Sequence, residues 1–204
     1  MLEQNMNLFQ SMAALLEKGI DPTSCEQQLW SRYGETVATL VLDTTGFSRT
    51  TQSHGIVHFL SRLMQLRTLC QPVFERHNAK RFHFEADNGF AFFDHIDDAI
   101  KSARAVHEAI YAAGLMLTED ERFRVCIGLG YGKMLFSETL ECYFSNEMNL
   151  ASKLGEDIAD GDEILITQNA YEHTDKRLLE GFTERKTCIS GLDLCYYRHQ
   201  FSPG

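Results

Sequence analysis

Residues 36–42 constrain the fold more than any other part of this sequence. They read TVATLVL, so the run is nearly all apolar and rich in β-branched side chains. A strand with this composition must be covered on both of its faces. A chain of 204 residues with 44% hydrophobic residues can supply that cover. We therefore predict a central, buried strand that ends at Asp43.

The elements after this strand follow a recognisable order. Apolar spacing near 3.6 residues predicts two amphipathic helices. Short runs of strand-forming residues on either side of Asp87-Asn88 predict a hairpin. The order β-α-β-β-α-β predicts an α/β (α+β) fold, namely a ferredoxin-like sandwich. The predicted elements are a helix over 51–76, strands over 81–86 and 89–94, a helix over 96–110 and a strand over 122–129.

The two ends of the chain add to this unit. Further pieces are predicted at 148–158 (helix), 163–167, 182–188 and 193–199 (strands). Helical spacing and a Pro-containing helix start before residue 35 predict two short helices. We therefore divide the chain into an N-terminal helical extension, 1–35, and one domain, 36–204.

Composition limits the classes of partner. The formal net charge is −10, which disfavours nucleic acids and anionic membranes as partners. No apolar run approaches the ~20 residues of a membrane span, and the N-terminus does not resemble a secretory signal. The six cysteines form no CxxC pair. These features favour a cytoplasmic location.

Two aspartates at the ends of predicted strands are the first candidates for chemistry. Asp43 closes the central strand, and Asp87 lies in the hairpin turn. If the strand before the helix and the strand after it are neighbours, the two carboxylates can share one metal ion, because Mg²⁺ takes one or two carboxylates plus phosphate oxygens. Spacing alone favours the ordinary roles, a helix cap at Asp43 and a turn residue at Asp87.

Three segments resemble the catalytic domain of class III adenylyl/guanylyl cyclases, in a divergent, stand-alone, bacterial-type form. LVLDTTGFSRTTQSHG resembles the first metal-binding segment, with its Asp-x-x-Gly-Phe pattern, and FHFEADNGFAFF resembles the second. YFSNEMNLASKLGEDIADGDEILIT resembles the segment that holds Asn-x-x-x-Arg and the strand after it. The resemblance covers about residues 40–167.

The resemblance implies a homodimer that converts a nucleoside triphosphate to a 3′,5′-cyclic nucleotide and pyrophosphate. Asp43 and Asp87 of one protomer would hold two divalent ions, Mg²⁺ or Mn²⁺, in each active site. Asn149 of the other protomer would orient the ribose. The backbone near the phosphates would come from Thr44, Thr45, Gly46 and Phe47.

Several positions depart from the pattern of that family. The transition-state arginine falls at Lys153, which keeps the charge and loses the bidentate fork. The two positions that read the base fall at His83 and Cys142, and a lysine that contacts the terminal phosphates falls near Ser190. These departures leave three possibilities: a cyclase with a shifted base preference, a slow purine cyclase, or an inactive cyclase-like domain that binds nucleotide or a partner protein in signalling.

Two weaker patterns are given structural interpretations. Gly128, Gly130 and Gly132 follow a predicted strand and do not open a helix, so we predict a strand-to-hairpin transition rather than a dinucleotide fingerprint. His54 and His58 are four residues apart on a predicted helix, and we interpret them as surface residues.

Overall fold

The structure, a computed structural model, describes residues 6–189 and 192–202. Within these ranges helices and strands are mixed along the chain. The helices are α1 (Leu8–Glu17), α2 (Glu26–Tyr33), α3 (Phe47–His54), α4 (Ile56–Arg76), α5 (Ile96–Ala112), α6 (Asn146–Ser152) and α7 (Gln168–His173), with a π-helical segment at Lys153–Ile158. The strands are β1 (Gly34–Thr44), β2 (Arg81–Glu85), β3 (Asn88–Phe93), β4 (Val125–Ser137), β5 (Cys142–Phe144), β6 (Glu163–Thr167), β7 (Thr183–Ile189) and β8 (Leu192–Gln200).

All eight strands belong to one sheet, with the order β2-β3-β1-β4-β6-β8-β7 and β5 paired to β4. The part β2-β3-β1-β4 is antiparallel throughout. It is the ferredoxin-like arrangement that the sequence predicts, and this prediction is confirmed. β6 then adds parallel to β4, and the β7–β8 hairpin extends the sheet beyond it.

Strand β1 lies at the centre because both of its faces are apolar. Ala38, Leu40 and Leu42 belong to the larger core, which is shared with α4 and α5. Val37 and Val41 belong to a second core on the opposite face, together with Phe92, Met134, Tyr143, Met148 and Ala151. All the residues from Val37 to Leu42 are buried.

One condition of the sequence reasoning is not met, and one predicted helix is wrong. The neighbour of β1 is β3 rather than β2, with Leu42 opposite Gly89, because the hairpin folds back so that its second strand takes the inner position. The helix predicted over 51–76 is two helices, α3 and α4, which meet at Gly55. Gly55 has a φ of 84°, a value that interrupts a right-handed helix.

The glycines of β4 serve a different purpose from the predicted strand-to-hairpin transition. Gly128, Gly130 and Gly132 all face the helical layer formed by α6 and the segments next to it. A Cβ on Gly128 would lie 2.0 Å from the carbonyl oxygen of Ala151, and one on Gly130 would lie 2.7 Å from the carbonyl oxygen of Glu147. The missing side chains therefore allow α6 to lie directly on the sheet.

The N-terminal helices pack against the sheet near its β4–β5 end. The Tyr33 hydroxyl donates to the Met6 carbonyl at 2.6 Å and contacts the Ser11 hydroxyl. The ring of Phe9 packs edge-on against Phe144 at 5.9 Å. In the part of the chain that the structure describes, no helix has the length and apolarity to cross a membrane.

Candidate functional site

Asp43 is the second-to-last residue of β1, so its carboxylate lies at the end of the strand. Asp43 pairs with Cys126 of β4, and Thr44 is the final residue of the strand. Gly46 then takes a φ of 86°, so the chain can turn sharply and begin α3 at Phe47. The Thr45 N–H donates to the Arg124 carbonyl at 3.1 Å, and its hydroxyl donates to the same oxygen at 3.2 Å. These bonds fix the turn against the start of β4.

The hairpin turn brings Asp87 to the same end of the sheet. Because β3 runs antiparallel to β1, its first residues lie beside the last residues of β1. The Thr44 hydroxyl donates to Asp87 Oδ2 at 3.5 Å, and the guanidinium of Arg67 donates to the Ala86 carbonyl. The structure therefore brings the two sequence-predicted aspartates together, by way of β3 rather than β2.

The surroundings of Asp43 disfavour its charged form. Burial raises the pKa of Asp43 from 3.8 to about 6, and the negative charge of Asp87 adds to the rise, although the Thr44 backbone N–H opposes it. A carboxylate pair of this kind is relieved by a cation. Within the described residues, no cluster of three or more His, Cys, Asp or Glu side chains has the geometry of a metal site. Two carboxylates completed by phosphate oxygens fit Mg²⁺ or Mn²⁺.

Asp43 and Asp87 open into a cleft of about 900 Å³. The predicted phosphate-side residues Thr44, Thr45, Gly46 and Phe47 also line it. On its far side lie the segment 160–163 and residues of β8. The cleft is large enough for a nucleotide, and the predicted metal-side residues share it.

Three arginines give the cleft positive charge beside its carboxylates. Arg49 pairs with Glu121 at 2.5 Å, and Arg198 pairs with Glu163. Arg124 also lines the cleft, and among the residues described here it has no carboxylate at ion-pair distance. The sequence reasoning missed Arg124. Arg122 and Arg124 both fall at the start of the predicted strand over 122–129, and no pattern in the sequence singles out Arg124.

Asn149 and Lys153 occupy the helical layer rather than the cleft lining. Ser145 caps α6 by accepting from the Met148 N–H at 3.1 Å. Asn149 is exposed, and the Lys153 N–H donates to its carbonyl, so the two residues lie one helical turn apart. Neither is among the residues that line the cleft with Asp43. Within one copy of the chain, Asn149 and Lys153 are therefore separated from the predicted metal-side residues.

His83 and Cys142 also lie away from the cleft lining. The His83 ring stacks on Phe90 at 5.1 Å and on Phe92 at 6.2 Å. The Cys142 thiol donates to the Tyr143 carbonyl at 3.5 Å, and burial raises its pKa, with the charge of Glu85 adding to the rise. Glu85 follows His83 by two residues on the same strand and therefore shares its face. Ser190 lies outside the described residues.

Glu156 is a second residue that the sequence reasoning missed. It belongs to the π-helical segment, and the Asn88 side-chain amide donates to its Oε1 at 3.4 Å. Burial raises its pKa, and the charges of Asp43, Asp157 and Asp87 raise it further. No spacing rule in the sequence places residue 156 beside residue 88, because the contact depends on how α6 lies on the glycines of β4.

Among the comparisons with known proteins, the one with solved structures identifies the fold. No protein-family model matches the chain, and no curated protein matches it. Among solved structures, an adenylate/guanylate cyclase/hydrolase from Silicibacter pomeroyi is 21% identical, with a TM-score of 0.68, over 81% of this chain and 96% of that one. The catalytic core of a rhodopsin-guanylyl cyclase with converted specificity, solved with ATPαS, is 17% identical, with a TM-score of 0.67, over 80% and 94%.

The adenylyl cyclase CyaB from P. aeruginosa is 15% identical, with a TM-score of 0.65, over 83% of this chain and 96% of that one. At these identities the likeness establishes the fold alone. The chain has the fold of class III adenylyl and guanylyl cyclase catalytic domains, as the three sequence segments predict.

Proposed function

We propose that this chain is a nucleotidyl cyclase that converts a nucleoside triphosphate to a 3′,5′-cyclic nucleotide and pyrophosphate in a homodimer. The observation that carries the proposal is the meeting of Asp43 and Asp87 at one cleft. Asp43 is half-buried and lies beside the negative charge of Asp87, an arrangement that is costly to a fold unless it has a use. In a chain with the fold of cyclase catalytic domains, the use that fits is the binding of divalent cations with a triphosphate.

Each group on the metal side has a separate role in this proposal. Asp43 and Asp87 hold Mg²⁺ or Mn²⁺, and the phosphates lie against the backbone of the turn from Thr44 to Phe47. Arg124 supplies a positive charge to the phosphate chain. When bound, the two cations increase the acidity of the ribose 3′-hydroxyl and neutralise charge on the leaving pyrophosphate.

The second copy completes the site. Asn149 and Lys153 are outside the cleft that their own chain forms, so we assign them to the partner's cleft. Asn149 there orients the ribose by hydrogen bonds, and Lys153 places a positive charge near the α-phosphoryl group. A lysine donates as a point charge where an arginine donates two parallel bonds, so we expect slow turnover.

Guanylyl cyclase domains of a rhodopsin fusion protein from Blastocladiella emersonii have been solved both as a monomer and as a non-canonical dimer. A domain with this fold therefore need not dimerise on its own. The proposal requires that the present chain does so, and its mass in solution must be measured together with its activity.

A second function is an inactive cyclase-like domain that binds nucleotide or a partner protein. Lys153, His83 and Cys142 favour it, since none reproduces the bonds that the family pattern supplies. His83 is held against two phenylalanine rings, and the Cys142 thiol is a weak donor engaged with the backbone. This function predicts nucleotide binding without product.

The test is to incubate the purified wild-type chain with Mn²⁺ and each of ATP, GTP, CTP and UTP, and to identify products by mass spectrometry. The proposal predicts a cyclic product from at least one nucleotide and none from Asp43→Ala. Lack of product from a folded dimer, combined with calorimetric binding of a nonhydrolysable triphosphate, would favour the inactive domain. Product formation that survives Asp43→Ala would refute the assignment of the metal site.

A further inference from the structure

Glu156 is a third carboxylate near Asp43 and Asp87, and the proposed roles of the two aspartates do not account for it. It lies in a π-helical turn, Lys153–Ile158, that continues α6. Such turns are rare and are frequent at functional sites, because the wider turn re-aims the side chains that follow it. The segment also joins two parts of the protein that the proposed reaction uses separately.

The π-helical segment is anchored to the strand that carries Asp43. A Cβ on Gly155 would lie 3.0 Å from both the Val41 carbonyl oxygen and the Gly128 amide nitrogen. Val41 precedes Asp43 by two residues, on the same face of β1. Gly155 thus lets the helical backbone reach the sheet, and the next residue, Glu156, is placed at the end of the sheet where Asp43 and Asp87 lie.

The carboxylate of Glu156 contacts the hairpin that holds Asp87. The Asn88 side-chain amide donates to Glu156 Oε1, and Asn88 directly follows Asp87 in the chain. Ala86, on the other side of Asp87, has a φ of 49°, which is unusual for a residue with a Cβ. A turn with such a backbone depends on its contacts, and Glu156 supplies one of them.

We propose that Glu156 is a positioning residue for the cation site of its own chain. It holds Asn88, and through it the turn that presents Asp87, and its charge adds to the negative potential that attracts the cations. It is not assigned as a direct ligand, because among the described residues no third carboxylate completes a metal geometry with the two aspartates. This inference rests on the proposed function.

The inference gives two roles to the stretch 146–158, which consists of α6 and the π-helical turn. Its first part carries Asn149 and Lys153, which serve the partner's cleft, and its later part carries Glu156, which serves the cleft of its own chain.

The test measures cation binding directly, by calorimetric titration of the full chain with Mn²⁺. Glu156→Gln removes the charge and keeps the oxygen that accepts from Asn88, whereas Glu156→Ala removes both. Loss of a supporting contact of this kind weakens metal affinity by about 10-fold or more. We expect that loss for Glu156→Ala, and a smaller loss for Glu156→Gln.

Glu172→Gln is the matched control, because it removes the same charge from α7, where Glu172 accepts from Gln168. Unchanged Mn²⁺ affinity in folded Glu156→Gln and Glu156→Ala would overturn the inference, as would an equal loss in Glu172→Gln. If Glu156→Ala does not fold, the comparison of Glu156→Gln with Glu172→Gln decides. Wild-type binding that is weakened by Asp87→Asn but not by the Glu156 variants would overturn only this inference. Wild-type binding that is insensitive to Asp87→Asn would overturn the proposed function itself.

Discussion

Replacement of Gly128 by alanine tests whether α6 really lies on the bare backbone of β4. The new Cβ would be 2.0 Å from the Ala151 carbonyl oxygen and 2.6 Å from the Gly155 amide nitrogen. Both are backbone atoms of the helical layer, so the layer must move as a unit. Overpacking of this kind costs about 1–3 kcal/mol, and occasionally more. A glycine-to-alanine change stabilises the folded state by only about 0.4–1 kcal/mol, because it reduces the conformational entropy of the unfolded chain.

Gly132 provides the comparison on the same strand and the same face. A Cβ there would lie 3.1 Å from Glu147 Cγ and 3.3 Å from Asn169 Nδ2, which are side-chain atoms that need to give way by only a few tenths of an ångström. We therefore expect Gly132→Ala to change the free energy of unfolding by less than about 1 kcal/mol. Gly128→Ala should cost about 3 kcal/mol, and Gly130→Ala should fall between them.

The assay is urea unfolding followed by circular dichroism, at one protein concentration for all three variants. A fixed concentration matters because dimerisation would make the apparent stability concentration-dependent. If the free energies of unfolding of Gly128→Ala and Gly132→Ala differ by less than about 0.5 kcal/mol, α6 does not rest on the glycines as described. The positions assigned to Asn149, Lys153 and Glu156 would then lose their basis.

Two further predictions concern the site. Asp43→Asn should stabilise the cation-free protein at pH 7 by about 1–2 kcal/mol, because it removes a charge that the folded state disfavours. A pKa of about 6 implies a cost of roughly 3 kcal/mol for that charge, and solvent screens part of this cost. The folded chain disfavours the charged form, so the advantage should be absent below pH 3.8 and grow up to about pH 6; equal thermal stability at pH 7 would contradict this. Lys153→Arg should raise kcat by about 10-fold with KM nearly unchanged, since the bidentate fork acts on the transition state; steady-state kinetics that show a lower kcat would argue against the assigned role.

The sequence predicts the core of this fold because the core depends on local patterns. The apolar run before Asp43, the helical spacing after it and the hairpin around Asp87 each report their own element. The order of these elements then leaves few topologies, and the ferredoxin-like one is found. The place of β2 and β3 in the sheet depends on which hairpin strand turns inward, and no local pattern encodes that choice.

The site divides in the same way. Asp43 and Asp87 carry a signal, because each is a polar residue at the end of an apolar strand. Arg124 and Glu156 carry almost none, since their places depend on long-range packing. The glycines of β4 were visible in the sequence, but their purpose was not. It becomes clear only when the carbonyls of Glu147 and Ala151 are found against them.

A mixing experiment tests the central claim, that each active site takes its cation ligands from one copy and Asn149 from the other. Asp87→Ala and Asn149→Ala, each without activity, are mixed, unfolded and refolded together. Random pairing gives heterodimers in which one of the two sites is intact, so the account predicts recovery of about a quarter of the wild-type cyclase activity. If the mixture stays inactive while mass measurement confirms heterodimers, the two sets of residues do not form a shared site and the account is wrong.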